Sequence, residues 1–151
     1  MIEGVKVKEL LRHADDRGYF MEVLRDDDRL LERFGQFSMS IAFPGVIKAF
    51  HYHKLQDDLW FFAKGNAQTV LYDLRDDSAT PGASAVFYMG EHHPLLLTIP
   101  AGVAHGYRVL GNEPAILTYL TTKSYDRLQP DEYRIPWDDP QIGFDWRTQN
   151  R

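Results

Sequence analysis

The amino-acid sequence predicts an all-β protein built as a sandwich, a barrel or a jelly roll. Short runs of alternating or apolar residues follow one another from residue 36 to residue 122, and Gly, Pro, Asn and Asp residues separate them. Aromatic residues make up 13% of the chain, which favours strands over a helical bundle. Many short strands at this spacing are typical of two-layer or barrel β folds rather than of alternating strands and helices.

The N-terminal part of the sequence predicts one strand and one short helix. The stretch "RGYFMEVL" begins as a strand and leads into a charged turn at residues 25–29. In "DRLLERFG" the apolar residues have helical spacing, and Gly35 is a typical residue after a helix end. We therefore expect a short helix near the N-terminus, covering approximately residues 29–34.

Eight further stretches predict the strands of the barrel. They are, in chain order, QFSMSIAF, VIKAFHYH, LWFFAKG, AQTVLYDLR, SAVFYMG, LLLTIP, HGYRVLG and AILTYLTT. Turn signals lie between them, including Pro44-Gly45, Gly65-Asn66 and Gly111-Asn112. The tail after residue 134 is rich in proline and aromatic residues, so we expect it to cross the body in extended form and to bury Trp137, Phe144 and Trp146.

Composition excludes several classes of protein. The formal net charge of −5 argues against a general nucleic-acid binder, which usually carries a basic face. The absence of cysteine excludes disulfides, cysteine-ligated zinc and a thiol nucleophile. No stretch approaches the roughly 18 apolar residues of a membrane helix, and the N-terminus has no signal-peptide pattern. We expect one domain over residues 1–151, in the cytoplasm, without nucleic-acid or membrane partners.

Two histidines in "VIKAFHYHKLQDD" are the first candidates for chemistry. Residues two apart on a strand face the same side, so His51 and His53 project together. Asp58 follows five residues later, and His105 follows a Pro-x-Gly turn on a later strand. Three imidazoles and one carboxylate form a suitable ligand set for a divalent transition metal. The same residues also suit metal-free proton transfer, and the pattern alone does not decide between the two.

The two histidine patterns resemble the two sequence motifs of the cupin superfamily. Gly45-x5-His51-x-His53-x4-Asp58-x6-Gly65 is similar to the first motif, with Asp58 where glutamate is usual. Pro100-x-Gly102-x2-His105 is similar to the second. The resemblance implies a double-stranded β-helix, the cupin jelly-roll barrel. In metal-binding cupins the counterparts of His51, His53, Asp58 and His105 hold a divalent metal.

Longer stretches narrow the resemblance to the dTDP-4-dehydrorhamnose 3,5-epimerase family. They are DDRGYFMEVL, VIKAFHYH, LYDLRDDSATPG, LLLTIPAGVAHGYRVLGNEPA, TYLTTKSYD and PWDDPQIGFDW, which fall in the family's order between Asp15 and Trp146. The resemblance implies a homodimer without metal or other cofactor. It also implies epimerisation of a nucleotide-linked 4-keto-6-deoxy sugar through an enolate, in nucleotide-sugar and cell-surface polysaccharide biosynthesis.

The resemblance also assigns residues to roles. His51 matches the catalytic base, Tyr119 the general acid and His105 the active-site histidine of an Ala-His-Gly turn. A tyrosine suits the acid role because its unperturbed pKa of about 10 keeps it protonated at neutral pH. Residues that match substrate-binding positions are Arg17, Phe20, Glu22, Lys48 and Tyr125, and His53 is expected to line the same pocket. Lys48 stands where the family places an arginine against the diphosphate.

The sequence departs from the family at two functional positions, which keeps other functions open. Asp58 stands where the family has an enolate-stabilising lysine, and no counterpart of the aspartate paired with the base is found after Trp146. Lys48 or Lys54 are candidate replacements for the lysine, and Asp57 or Asp58 for the aspartate. The alternatives are a metal-dependent cupin enzyme, a sugar-nucleotide 3,4-ketoisomerase, which the "His-x-His-Lys" run resembles, and a sugar-nucleotide-binding protein without catalysis.

Overall fold

Two five-stranded antiparallel sheets face each other in the computed structural model, which describes residues 1–150. The first sheet has the strand order β1-β9-β6-β11-β4, the second has β12-β5-β10-β7-β8, and β2 and β3 form a separate hairpin. The strands are β1 (Lys6–Glu9), β2 (His13–Asp15), β3 (Gly18–Phe20), β4 (Gln36–Ala42), β5 (Ile47–Tyr52), β6 (Asp58–Lys64), β7 (Asn66–Asp73), β8 (Ser84–Gly90), β9 (Leu95–Ile99), β10 (Val103–Leu110), β11 (Ala115–Thr121) and β12 (Tyr133–Arg134).

This architecture confirms the predicted jelly roll, and each of the eight predicted strand segments contains a strand. Alternation along β6 directs Trp60 and Phe62 into the space between the sheets. There both rings pack edge-on against Tyr107 of β10, with ring centroids 5.8 Å and 5.1 Å away. The core therefore joins the two sheets through aromatic contacts. No helix within residues 1–150 is long and apolar enough to cross a membrane.

The expected helix near the N-terminus is wrong. Residues 29–35 form no helix, and the only helical turn in this region is a 3₁₀ turn at Asp26–Asp28. In place of a helix, the segment lays Leu30 and Leu31 against the outer face of the first sheet, beside Leu59 and Leu96. The segment is irregular, without helix or strand at residues 29–35, and this irregular path lets both consecutive leucines contact that face.

Gly35 and Gly106 are required by close backbone contacts rather than by turns. A Cβ on Gly35 would lie 2.4 Å from the backbone nitrogen of Lys123, so this glycine is not a helix stop. Gly106 lies inside β10, and the predicted Ala-His-Gly turn is wrong because these residues belong to a strand. A Cβ on Gly106 would lie 2.3 Å from the Cβ of Ala49 in β5. The glycine thus allows β5 and β10 to approach each other closely.

The C-terminal tail packs on the second sheet as expected, but it makes turns at residues 137–142 instead of staying extended. Trp146 is buried against Phe50 of β5, and Phe144 packs edge-on against Trp146 at 4.8 Å between ring centroids. Trp137 is exposed, which contradicts the expectation that it is buried. The backbone carbonyl of Trp137, rather than its ring, anchors the tail, because this carbonyl accepts a hydrogen bond of 2.9 Å from the Trp146 indole.

Strand β4 exposes most of its large apolar side chains instead of burying them in the core of the chain. It lies at the edge of the first sheet, and its inner positions Ser38 and Ser40 are small and polar. The outward side chains form an exposed apolar stripe that continues past the end of the strand and consists of Phe37, Met39, Ile41 and Phe43. An exposed apolar stripe on an edge strand is typical of a surface that another chain covers.

Asp73 holds the loop after β7 through a buried carboxylate. It is 1% exposed and accepts hydrogen bonds from the side chains of Arg75, Ser78 and Thr80 at 2.6–2.9 Å. Burial raises the pKa of Asp73, but these donors outweigh it and hold that pKa well below its usual range. The ionised carboxylate therefore stabilises the folded chain at neutral pH.

We predict that Asp73→Asn lowers the free energy of unfolding by about 2 kcal/mol at pH 7, because the charged acceptor of several hydrogen bonds is lost. The folded-state pKa is depressed, so this contribution is fully present above the unfolded pKa of about 3.9 and is lost as the pH falls towards the folded value. Urea unfolding of both proteins between pH 3 and pH 7 measures the difference. Asp76→Asn, at an exposed aspartate in the same loop, is the matched control and should change little. An undiminished difference at pH 3 would contradict the assignment.

Candidate active site

A cavity of about 510 Å³ opens between the two sheets, and several predicted site residues line it. The second sheet contributes His51 and Lys48 from β5, and the first contributes Tyr119 from β11. His53 and Tyr125 line the cavity from the segments that follow these two strands. The structure thus brings together five residues that lie up to 77 positions apart in the sequence.

His51, His53 and His105 form a cluster at the base of the cavity. His51 and His105 are Cα partners in the β5–β10 pairing, and their ring centroids are 4.1 Å apart. The His53 ring lies 5.6 Å from that of His51 and 5.5 Å from that of His105. His105 is 1% exposed and stands behind the cavity wall rather than in it. Strand pairing therefore brings the two sequence motifs into contact.

Asp58, the first residue of β6, places a buried carboxylate at this cluster. Its Oδ2 lies 3.7 Å from Nε2 of His53 and 3.6 Å from Nε2 of His105. The same oxygen accepts a hydrogen bond of 3.1 Å from the Trp60 indole, and Oδ1 accepts one of 3.0 Å from the Gln56 amide. Asp58 is 2% exposed, so the carboxylate depends on these neighbours instead of water.

The backbone fixes the orientation of two of the imidazoles. Nδ1 of His105 lies 2.8 Å from the carbonyl oxygen of Val103, and Nδ1 of His53 bonds the carbonyl oxygen of Asp131. A carbonyl can only accept, so Nδ1 carries the proton in both rings. Their Nε2 atoms consequently face the Asp58 carboxylate.

Burial and mutual charge set the protonation of the cluster. Burial, reinforced by His105, lowers the pKa of His51 to about 3, and burial lowers the pKa of His105 to about 4. Burial also opposes charge on His53, but Asp58 and Asp131 outweigh it and raise the pKa of His53. Burial would raise the pKa of Asp58, yet the neighbouring imidazoles bring it to about 2. His51 is therefore neutral at pH 7, with a free lone pair.

The candidate replacements for the family's lysine and aspartate lie in different places. Lys48 lines the cavity, where its ammonium donates to Ser40 Oγ at 2.8 Å, whereas Lys54 lies over the Tyr133 ring outside it. Asp57 accepts a hydrogen bond from the Ala101 amide at 2.9 Å and so stabilises the Pro-x-Gly turn. Of these candidates, Asp58 is the carboxylate next to the histidines and Lys48 is the lysine that lines the cavity, which Lys123 also lines.

Three predicted substrate-binding residues lie outside the cavity of their own chain. Arg17 and Phe20 belong to the exposed β2–β3 hairpin, and Glu22 follows it. Arg17 pairs with Asp15 at 2.5 Å, and Glu22 pairs with Arg25 at 2.9 Å. None of the three lines the cavity formed by residues 1–150.

Sequence reasoning missed several residues of the site. Asp131 lines the cavity, and its carboxylate accepts the amides of Lys54 and Leu55 at 2.9 Å and 2.8 Å, which anchors the segment after His53. Tyr107 lines the wall beside Trp60, and burial raises the pKa of its phenol. The alternation of β10 places Tyr107 on the same side as His105 and could have identified it. No local signal identifies Asp131, which comes from a distant loop.

Comparison with known proteins supports one family. The model of the family described as dTDP-4-dehydrorhamnose 3,5-epimerase matches residues 1–151. The spore coat polysaccharide biosynthesis protein SpsL of Bacillus subtilis (strain 168) is 65% identical over 151 residues, which is 100% of both chains.

Solved structures agree with this comparison. A dTDP sugar isomerase from Desulfovibrio desulfuricans G20 superposes with a TM-score of 0.88 and 32% identity, over 96% of this chain and 92% of that one. The 3,5-epimerase RmlC from Legionella pneumophila Philadelphia 1, solved with dTDP-4-keto-L-rhamnose, has a TM-score of 0.85 and 29% identity over 96% and 79% of the two chains. By its sequence and by its fold, the chain belongs to the dTDP-4-dehydrorhamnose 3,5-epimerase family.

Proposed function

We propose that this chain is an epimerase of a nucleotide-linked 4-keto-6-deoxy sugar and works in nucleotide-sugar and cell-surface polysaccharide biosynthesis. The observation that carries the proposal is the placement of His51 and Tyr119 in one cavity but on opposite sheets. A sugar ring between them would present one face to each side chain. Epimerisation needs this arrangement, because a proton leaves from one face and returns on the other.

The reaction proceeds by proton transfer without a cofactor. The 4-keto group acidifies the hydrogens on C3 and C5, and the His51 lone pair removes one of them. The electron pair of the broken C–H bond moves into the carbonyl, which becomes an enolate. Tyr119 then donates its phenolic proton to the same carbon from the opposite face, which inverts that centre. Solvent exchange returns the proton from His51 to the Tyr119 phenolate and resets the enzyme.

The remaining predicted residues bind and position the substrate. His53 and Tyr125 line the cavity close to the reacting groups, and Lys48 offers an ammonium to the diphosphate. His105 acts from behind His51 and fixes the position of that ring through the 4.1 Å ring contact. The bound dTDP-4-keto-L-rhamnose in the Legionella structure supports a substrate of this class. The name of the Bacillus relative supports a role in polysaccharide biosynthesis.

A second copy of the chain completes the site in this proposal. The apolar stripe of β4 needs a cover, and β4 also contributes Gln36 and Ser40 to the cavity. A homodimer formed across β4 would therefore lie next to both cavities. Arg17, Phe20 and Glu22, which do not reach their own cavity, would then contact nucleotide in the cavity of the partner subunit.

We predict that isotope exchange distinguishes the roles of His51 and Tyr119. The purified protein is incubated with dTDP-4-keto-6-deoxyglucose in deuterated water, and the C3 and C5 proton signals are followed by NMR. His51→Gln should slow exchange by about 10²–10⁴-fold at every reacting carbon, because the base is gone. Tyr119→Phe should retain exchange from the His51 face but lose the inverted product.

His93→Gln and Tyr88→Phe are the matched controls, because both residues lie outside the cavity. Exchange confined to C3 with transfer of the keto group would indicate the 3,4-ketoisomerase alternative. Undiminished exchange in His51→Gln would refute the assigned base.

Lys48 should act on binding rather than on chemistry. We expect Lys48→Gln to raise KM by about 10-fold or more with little change in kcat, because a charged hydrogen bond contributes about 1.5–3 kcal/mol. Lys48→Arg should restore the affinity through a two-pronged phosphate contact. Lys54→Gln removes a cation outside the cavity and should leave KM unchanged. A fall in kcat alone for Lys48→Gln would place this lysine at the enolate instead.

The dimer is tested by size-exclusion chromatography with light scattering. We expect the unmodified chain to have the mass of a dimer and Met39→Asp to shift it to a monomer, because a charge in the centre of the β4 stripe cannot be buried unpaired. Leu128→Asp, at a still more exposed apolar residue outside the stripe, is the control. A monomeric unmodified protein would refute the shared site.

A further inference from the structure

The hydroxyl of Tyr107 is buried at the cavity wall without a hydrogen-bond partner. Tyr107 is 2% exposed, and no polar atom of residues 1–150 forms a hydrogen bond with its phenol. Buried polar groups are nearly always bonded, because an unpaired one has lost its water without gaining a partner. An unpaired phenol among the residues that line the cavity therefore calls for an explanation.

The ring that carries this hydroxyl is held in place by its neighbours. Trp60 and Phe62 pack edge-on against it, with ring centroids 5.8 Å and 5.1 Å away. In the β5–β10 pairing Tyr107 is the Cα partner of Lys48, so these two side chains start from adjacent positions on the second sheet. Because the ring is fixed, a partner for the hydroxyl has to come to it.

The serine beside the phenol is already bonded to a lysine. Burial raises the pKa of Tyr107 and the nearby Ser40 hydroxyl lowers it, yet no hydrogen bond of normal geometry joins the two side chains. Instead, Ser40 Oγ accepts a hydrogen bond of 2.8 Å from the Lys48 ammonium, which also donates to the Ile41 carbonyl at 3.1 Å. Lys48 thus holds the group that could pair with the phenol.

We propose that Tyr107 is a positioning residue that takes the place of Lys48 at Ser40 when Lys48 turns to the diphosphate of the substrate. The phenol then donates to Ser40 Oγ, so the serine keeps a partner and the buried hydroxyl gains one. Release of the ammonium from Ser40 is consequently easier than it would be beside a phenylalanine. Lys48 is exposed, which allows its long side chain to make this turn. The inference deepens the proposed function, because it rests on the role of Lys48 at the diphosphate.

A double-mutant cycle on the binding of dTDP tests this exchange of partners. Titration calorimetry measures the Kd of dTDP, which carries the diphosphate but no reacting sugar. Tyr107→Phe should raise the Kd by about 3–10-fold, as expected for the loss of one hydrogen bond. The same substitution should have no effect in a Ser40→Ala or a Lys48→Met protein, because each of these lacks one partner of the exchange. Tyr88→Phe, outside the cavity, is the control and should leave the Kd unchanged.

The stability of the protein without nucleotide provides a second readout. Tyr107→Phe should leave the urea midpoint of unfolding unchanged or raise it, because the phenol has no hydrogen bond to lose in that state. The same measurement shows that the variant is folded. A lower midpoint would mean that the hydroxyl is bonded before the nucleotide arrives, and would overturn the exchange.

Steady-state kinetics with the keto sugar separate this role from a direct one. We expect Tyr107→Phe to raise KM with kcat unchanged, because the exchange acts on the diphosphate alone. A fall in kcat would place the phenol at the reacting sugar and overturn the proposal. An equal rise of the Kd for dTDP in all three backgrounds would also overturn it, since the phenol would then act independently of Ser40 and Lys48.

Failure of the proposed function gives a different result from failure of the exchange. If Lys48→Met binds dTDP as tightly as the unmodified chain, Lys48 does not meet the diphosphate, and both its proposed role and the exchange are overturned. If Lys48→Met weakens binding and Tyr107→Phe does not, the exchange alone is overturned. Coupling of the three residues in dTDP binding, without turnover of the keto sugar, would remove the epimerase and support the exchange.

Discussion

The close pairing of β5 with β10 is the constraint on which the site depends. The two strands meet where Gly106 faces Ala49, and any side chain larger than hydrogen at position 106 would collide with β5. A register shift lies at the same place, between His105 and Tyr107. Because of this approach, His51 and His105 are in ring contact and lie between the sheets. The cavity, the aromatic core around Tyr107 and the tail that covers β5 are all built around this pairing.

The second constraint is the buried charge of Asp58. A carboxylate at 2% exposure would cost several kcal/mol without compensation. Here the compensation for burial comes from the indole of Trp60, the amide of Gln56 and the imidazole of His53. The imidazoles around Asp58 make its buried charge tolerable. Lys48 of β5 lines the cavity, and in the proposed function it is the cation that meets an anionic substrate.

Local patterns predicted what depends on local geometry. Alternation located the strands, and the spacing of His51 and His53 placed both at one cluster. The errors lie where distant contacts override local preference. Leu30 and Leu31 pack on the first sheet from an irregular segment although their spacing suits a helix, and Trp137 is exposed although it is aromatic. Asp131 at the site depends on a loop 78 residues away from His53, which no local pattern encodes.

Strand β4 links the cavity to the subunit interface of the proposed homodimer. Its alternation is clear in the sequence, but only the structure shows that serines face the cavity while the apolar residues face outward. One strand thereby supplies polar residues of the cavity and, in the proposed homodimer, the surface for a second chain. A substrate that contacts residues of both subunits would bind the dimer more tightly than the monomer, so by linkage it would also strengthen the dimer. In the proposed homodimer, subunit association and substrate binding would therefore both depend on strand β4.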